Sequence, residues 1–312
     1  SSSVLGEGNV LWEHRSVYKP LDEFCARIPS GVQVWQDRVY IFDTAGIDVY
    51  ELSTGKFIRH KDFGSSILTN TWAMVENPVI GTQQALVAYG HELLSEQWKS
   101  AYPEKLPGYE PPRNEDGTTA SAPVPIPILF RTDLSRDYIL LMYDFGYWSV
   151  VSAKDGKMLW IKAIDAQGRV NRLFLEEFFR SAWVMVAENL AIFSCTNGRI
   201  AAMNVDTGEQ VWEYQHGENK YAGKGQRGYL SRHGDRLLVS FPSGSVVVLD
   251  LKKGTRVGEA KNPQWRPMSP AYGEELEGAF VNGDGNLVRF VLDGGKVLMN
   301  HPLFENRPPL HP

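Results

Sequence analysis

Two cysteines in 312 residues, Cys25 and Cys195, are too few for a disulfide framework or a four-thiolate zinc site. The seven histidines are scattered without H-x-x-x-H spacing, so no metal site is expected. No apolar run approaches the roughly 18 residues that a membrane-crossing helix requires. The opening SSSVLGEGN has neither the basic start nor the apolar stretch of a signal peptide. No Asn-x-Ser/Thr acceptor occurs, which favours an intracellular or bacterial protein, with cytoplasm ahead of periplasm or the exterior. The formal charge of −5 gives no general basis for binding nucleic acid or anionic lipid. There is no G-x-S-x-G elbow and no P-loop.

What the chain has is glycine at a fixed interval. Gly146 and Gly156, Gly198 and Gly208, Gly244 and Gly254, and Gly285 and Gly295 each stand ten apart. Gly46 and Gly55 nearly match them. Each pair brackets a strand, and each second glycine opens another, as in RIAAMNVDTGEQVWEYQ from Arg199 to Gln215. Asn and Gly suit such turns because they tolerate positive φ. An apolar strand precedes every first glycine: Arg38 to Phe42, Tyr138 to Tyr143, Leu190 to Cys195, Arg236 to Phe241 and Leu276 to Val281. A further extended segment precedes each of these. Four short strands per repeat of about 40 to 50 residues predict the blades of an all-β, antiparallel β-propeller. The interval from Gly55 to Gly156 is twice as long, so a degenerate copy is expected inside it, at Ile67 to Val75 and Gln84 to Tyr89.

The pattern G-x-x-x-A-x-x-x-x-T-G-x-x-x-W, carried by Gly198, Ala202, Thr207, Gly208 and Trp212, resembles the PQQ-like repeat of the quinoprotein-alcohol-dehydrogenase-like propellers, a superfamily that includes BamB. The tryptophan recurs as Trp160 and, in GNVLW, as Trp12, while Ile58, Val257 and Leu298 stand near its place in other copies. The resemblance covers most of residues 30 to 304 and implies a WD40-like ring of six or seven blades. In such rings the repeated tryptophans pack between blades. The quinone enzymes of the superfamily have an adjacent-cysteine pair and a larger ring. This chain has no Cys-Cys pair, so neither a quinone nor any other cofactor is expected.

In order, Asn9 to Arg15 reads as the last strand of a blade, and LDEFCARI (residues 21–28) as a helical linker. Residues 91–127 form a long insertion that opens with a helical pattern, ELLSEQWKSAY, and turns Pro-rich. Prolines deny ladder hydrogen bonds, so the second part reads as loop. A second insertion, VNRLFLEEFFRS, ends near Arg180, and 303–312 reads as an extended tail. The whole of 1–312 is expected to be one propeller. Cys195 reads as a buried thiol, and its pairing with Cys25 stays open.

Two groups of residues stand out as binding candidates. Gly223 to Gly228 matches G-x-G-x-x-G, but strand-like segments flank it on both sides, whereas a dinucleotide site needs a helix after it. It reads instead as a basic inter-blade loop whose Lys224 and Arg227 suit an anion or an acidic partner. Tyr147, Trp148, Trp265 and Arg266 lie beside loops and outside the tryptophan register; with Arg180 they are the other candidate contacts. No catalytic set emerges. The expected function is a non-catalytic scaffold that presents loops from a rigid propeller to another protein. The alternative is an enzyme (lyase, hydrolase or cyclase) holding a small molecule in the central funnel without a quinone.

Overall fold

The computed structural model describes residues 31–302 apart from 43–45, 64–66, 83, 94, 110–126, 128, 133–136, 144–145, 165–182, 196, 218–226, 263–271, 275–276, 283–285 and 292–296. The readings of Asn9 to Arg15, of LDEFCARI, of VNRLFLEEFFRS and of the tail therefore fall outside the described residues.

Among the described residues, twenty-four strands form six four-stranded antiparallel sheets, each built from four consecutive strands. Sheet 1 holds β1 (Gly31–Trp35), β2 (Arg38–Phe42), β3 (Gly46–Glu51) and β4 (Phe57–Asp62). Sheet 2 holds β5 (Ile67–Met74), β6 (Pro78–Thr82), β7 (Ala85–Tyr89) and β8 (Glu96–Ala101). Sheet 3 holds β9 (Leu129–Thr132), β10 (Tyr138–Met142), β11 (Tyr147–Ser152) and β12 (Met158–Ala163). Sheet 4 holds β13 (Val184–Ala187), β14 (Leu190–Ser194), β15 (Arg199–Asn204) and β16 (Gln210–Gln215). Sheet 5 holds β17 (Tyr229–His233), β18 (Arg236–Phe241), β19 (Ser245–Asp250) and β20 (Arg256–Lys261). Sheet 6 holds β21 (Tyr272–Glu274), β22 (Glu277–Val281), β23 (Asn286–Val291) and β24 (Val297–Pro302). First strands of successive sheets lie against each other, β1 with β5, β5 with β9, β9 with β13, β13 with β17 and β17 with β21. The sheets are the blades of a propeller, with those first strands innermost.

The core lies between the blades, and strand periodicity explains why. Side chains alternate across a strand. On β10, Ile139 and Leu141 pack with sheet 2, whereas Leu140 and Met142 pack with sheet 4. A strand buried on both faces needs apolar residues at every position, which is how YILLM reads. The outer strands alternate instead. On β16, Trp212 is buried while its neighbours Val211 and Glu213 are exposed.

In all six sheets the ladder between third and fourth strands breaks register at one equivalent place: Val49/Tyr50, Ala88/Tyr89, Val150/Val151, Ala202/Met203, Val248/Leu249 and Arg289/Phe290. Such an irregularity bends and twists a strand. The residue opposite the break is Trp98, Trp160 or Trp212 in sheets 2, 3 and 4. It is Arg59, Gly258 or Met299 in sheets 1, 5 and 6, one position beyond Ile58, Val257 and Leu298.

Sheet 2 is the degenerate copy, and it is complete. Its fourth strand, β8, lies in the stretch whose composition reads as helix. Glu, Gln, Lys and Ala favour helices as isolated residues, but pairing of β8 with β7 overrides that preference.

Candidate functional site

Two rims follow from the topology, and hydrogen bonds fix their composition. On the first, the turn between third and fourth strands is tied to the turn between first and second. Leu52 N donates to Asp37 O at 2.8 Å, Ala153 N to Asp137 O at 2.8 Å, Val205 N to Asn189 O at 3.0 Å and Leu251 N to Asp235 O at 2.8 Å. Side chains close these turns further. The Asn204 Oδ1 accepts from the amides of Asp206 and Thr207, and the Asp250 Oδ1 from those of Lys252 and Lys253. Cross-blade contacts join them: Arg38 to Glu92 at 3.5 Å, Tyr138 Oη donating to Asp206 at 3.0 Å, and Arg232 to Glu188 at 3.2 Å.

The second rim carries the turns between second and third strands and every connection from one blade to the next. Ile164 N donates to Gly146 O at 3.0 Å, His216 N to Gly198 O at 3.1 Å and Asn262 N to Gly244 O at 2.8 Å. The chain thus leaves each outer strand beside that turn. It departs after Ala101, Ile164, Gly217 and Asn262, and returns at Leu129, Trp183, Arg227 and Tyr272. The first rim has short, internally bonded turns. The second is where chain length accumulates.

Between the rims, one indole contact repeats. Trp98 Nε1 donates to Ala153 O at 3.1 Å, Trp160 Nε1 to Val205 O at 2.8 Å and Trp212 Nε1 to Leu251 O at 3.0 Å. In each case the indole of one blade reaches the third-to-fourth turn of the next. Each ring lies over a glycine of that turn. A Cβ on Gly156, Gly208 or Gly254 would come within 2.4 Å of Trp98, 2.7 Å of Trp160 or 2.4 Å of Trp212. All three glycines also have φ near +70°. The sequence pattern T-G-x-x-x-W therefore encodes two halves of two different contacts: glycine receives the previous blade's indole, and tryptophan goes to the next blade. Trp98 is the member that sequence reading misses. It stands ten residues after Ala88, as Trp212 stands ten after Ala202, and that spacing is the signal that identifies it.

Three of the binding candidates fall on described residues. Tyr147 and Trp148 are adjacent on β11 and point to opposite faces. Tyr147 is buried between sheets 2 and 3, and its hydroxyl donates to Pro107 O at 2.9 Å. That bond holds the start of the long connection, whose Tyr102 and Leu106 are buried in the same core. Trp148 packs between sheets 3 and 4, its ring 5.2 Å from that of Phe193. Arg227 is buried too, with its guanidinium carbon 4.7 Å from the Trp183 ring centroid. Cation–π contact with a desolvated indole is favourable to a guanidinium. The two residues precede β17 and β13, on the second rim. Gly228 N donates to Ser194 Oγ at 2.8 Å, and strand β17 follows the G-x-G-x-x-G stretch where a dinucleotide fold would place a helix. Arg180, Lys224, Trp265 and Arg266 lie outside the described residues.

The same rim holds a histidine. His216 stacks on Phe241 of the next blade, centroids 4.0 Å apart and planes 11° from parallel. Burial lowers its pKa; Glu259 opposes that effect, while Lys261 and Arg256 add to it. Burial also lifts the phenols of Tyr102 and Tyr143, that of Tyr143 to about 12, so both stay neutral. Cys195 is buried, and its thiol approaches Ile164 O at 3.7 Å. Cys25 lies outside the described residues. Among the described residues, no three His, Cys, Asp or Glu side chains are grouped to hold a metal. No described helix is long and apolar enough to cross a membrane.

The fold has known relatives. The crystal structure of BamB from Moraxella catarrhalis superposes over 88% of this chain and 76% of that one, with a TM-score of 0.63 at 14% identity. The computationally designed Ika8 protein aligns with a TM-score of 0.44 (11% identity, 88% of this chain and 87% of that one). Hsv2p from Kluyveromyces lactis aligns at 0.48 (13% identity, 82% and 71%). No curated protein matches the sequence. The family described as outer membrane protein assembly factor BamB matches residues 95–267, which run from β8 through all of sheets 3, 4 and 5. That match spans more than half of the chain, which therefore belongs to the BamB family of PQQ-like β-propellers.

Proposed function

We propose that this propeller is a non-catalytic scaffold that engages another protein through its second rim. The observation that carries this reading is the asymmetry of the rims. One is closed by short turns bonded to themselves and to their neighbours. The other receives the longer connections, and the three described candidates, Tyr147, Trp148 and Arg227, lie beside it. Arg180, Lys224, Trp265 and Arg266 belong to connections that leave and re-enter on that rim, and we assign them the direct contacts. Arg227 stacks on Trp183 where two such connections re-enter, Tyr147 holds the start of another at Pro107, and Trp148 packs between the blades beside them. A rigid core between the blades keeps the rim preformed, so binding orders few groups and retains more of its contact energy. Membership in a family of assembly factors accords with a protein partner.

Photo-crosslinking tests the reading. A benzophenone amino acid at Gln215, exposed on the second rim, is expected to trap a discrete protein adduct in cells. The same group at Lys154, exposed on the first rim, is expected to trap none. Adducts from Lys154 alone, or equally from both, overturn it.

A further inference from the structure

Where an outer strand ends, the next residue meets the following blade. His216, just after β16, stacks on Phe241 at the end of β18, centroids 4.0 Å apart. Ile164, just after β12, presents its carbonyl to the Cys195 thiol at 3.7 Å. Tyr102 follows β8 in the same way, its N donating to Gln84 O at 3.4 Å as His216 N does to Gly198 O at 3.1 Å. In sheet 3 the place of Cys195 and Phe241 is taken by Tyr143, since it precedes Gly146 as they precede Gly198 and Gly244.

This junction differs from the other two in being lined with hydroxyls. Tyr102, Tyr143 and Tyr147 lie in the layer between sheets 2 and 3. Ser149 shares that face of β11, because it pairs with Leu141 and alternates with Tyr147 and Val151. Its ladder counterparts in sheets 4 and 5 are Ala201 and Val247. Tyr147 satisfies its hydroxyl on Pro107 O. The other three hydroxyls do not satisfy one another. Tyr102 Oη is buried and has no hydrogen-bond partner among the described residues. Ser149 Oγ donates to Tyr143 Oη at 3.4 Å, longer than the roughly 2.5–3.0 Å usual between hydroxyls. Tyr143 and Ser149 are wholly buried and Tyr102 is 9% exposed, so bulk water reaches none of them freely.

The packing leaves room between these oxygens. Ser149 is smaller than Val247 at the equivalent place, and the Tyr102 and Tyr143 rings do not stack as His216 and Phe241 do. Burial lifts the Tyr102 pKa and Tyr143 adds to the rise, so the two phenols are within electrostatic reach without being bonded. Polar groups held apart in a buried layer are the setting for a bridging water, which needs two to four such partners.

We propose that one internal water sits between sheets 2 and 3, accepting from the Tyr102 and Tyr143 hydroxyls and donating to Ser149 Oγ. Ser149 keeps its own proton on Tyr143 Oη, so every hydroxyl in the group is used. The water fastens the long connection to sheet 3 at its first residue, and Tyr147 fastens it again at Pro107. This site stands apart from the proposed contacts with another protein.

A crystal structure that shows ordered water is expected to place one molecule within hydrogen-bond distance of all three oxygens. A direct bond between the phenols, or side chains closing the space, overturns the proposal. Thermal melting of Tyr102→Phe decides by sign. With the water in place the substitution deletes one of its bonds, and Tm falls by a few degrees. Without it, the substitution removes an unpartnered buried hydroxyl and Tm rises, which overturns the proposal. Ser149→Ala should also lower Tm, and the double variant by less than the sum of the two, because both hydroxyls serve one water. A double loss equal to the sum overturns the shared site.

Discussion

The junctions between blades divide into two kinds. Sheets 2 to 5 meet through one repeated device: an indole over glycine, with its N–H on a turn carbonyl. Sheets 1 and 2 meet without it. Arg59 occupies the tryptophan place, and nearby contacts do the fastening. Phe63 packs 5.2 Å from the Tyr89 ring, Lys61 Nζ lies 5.5 Å from the same ring, and the Tyr40 hydroxyl donates to His91 O at 3.4 Å. At the junction of sheets 5 and 6 the place is taken by Gly258. The same blade geometry is thus held by different chemistry. The repeated break in register is what all six blades share, so the backbone twist is the constant and the indole one way of using it.

The comparison is broken most forcefully by removing the indole. Trp212→Ala deletes a buried ring and leaves the Leu251 carbonyl and the surface of Gly254 uncovered; about 3–5 kcal/mol should be lost. Arg59→Ala, at the equivalent place in sheet 1, should cost about 1 kcal/mol or less, because a half-exposed side chain contributes mainly its aliphatic stem. Urea unfolding of the two variants measures the difference. Similar losses would mean that the junctions do not differ in kind.

A smaller effect separates two glycines four residues apart. Gly254→Ala forces a side chain onto φ +67° and into the Trp212 ring, and should cost about 2–3 kcal/mol. At Gly258 an added Cβ meets nothing within 4 Å, and glycine inside a strand is entropically costly. Gly258→Ala should therefore stabilise by about 0.5 kcal/mol. Opposite signs in thermal melts are the expected result; two losses would mean that the glycine at the tryptophan place is itself required.

Most of this architecture was legible in the sequence because its turns are chemically explicit. Paired glycines bracket β3, β11, β15, β19 and β23, and the strands expected before them coincide with β2, β10, β14, β18 and β22 to within a residue at either end. Sheet 2 was only half legible. Its turn at 90–95 includes Leu93 in the left-handed region at φ +55° and carries its glycine, Gly90, at its start rather than near its end, where Gly208 stands in its own turn. Its fourth strand has the composition of a helix, and only pairing with β7 decides otherwise. The candidate site was less legible still. Tyr147 and Trp148 stand beside a turn in the sequence, yet Pro107 and Phe193, both distant in the chain, bury them. Burial by a neighbouring blade leaves no local trace, whereas turn chemistry does.

The smallest effect concerns the second rim, where His216 on Phe241 joins sheets 4 and 5 a second time. Burial holds the folded-state pKa of His216 below its ordinary 6.5. In the unfolded chain the imidazole takes up a proton near that value, while the folded protein resists until lower pH. The unfolded state then binds more protons, so stability falls as pH drops through about 6.5 and levels off below the folded-state pKa. His216→Phe keeps a ring on Phe241 and removes the titrating group. Between about pH 7 and about pH 5 the variant should lose less Tm than the parent chain, with the two nearly equal at the upper end. Parallel curves would mean that protonation does not part the stack, and that His216 joins these blades independently of its charge.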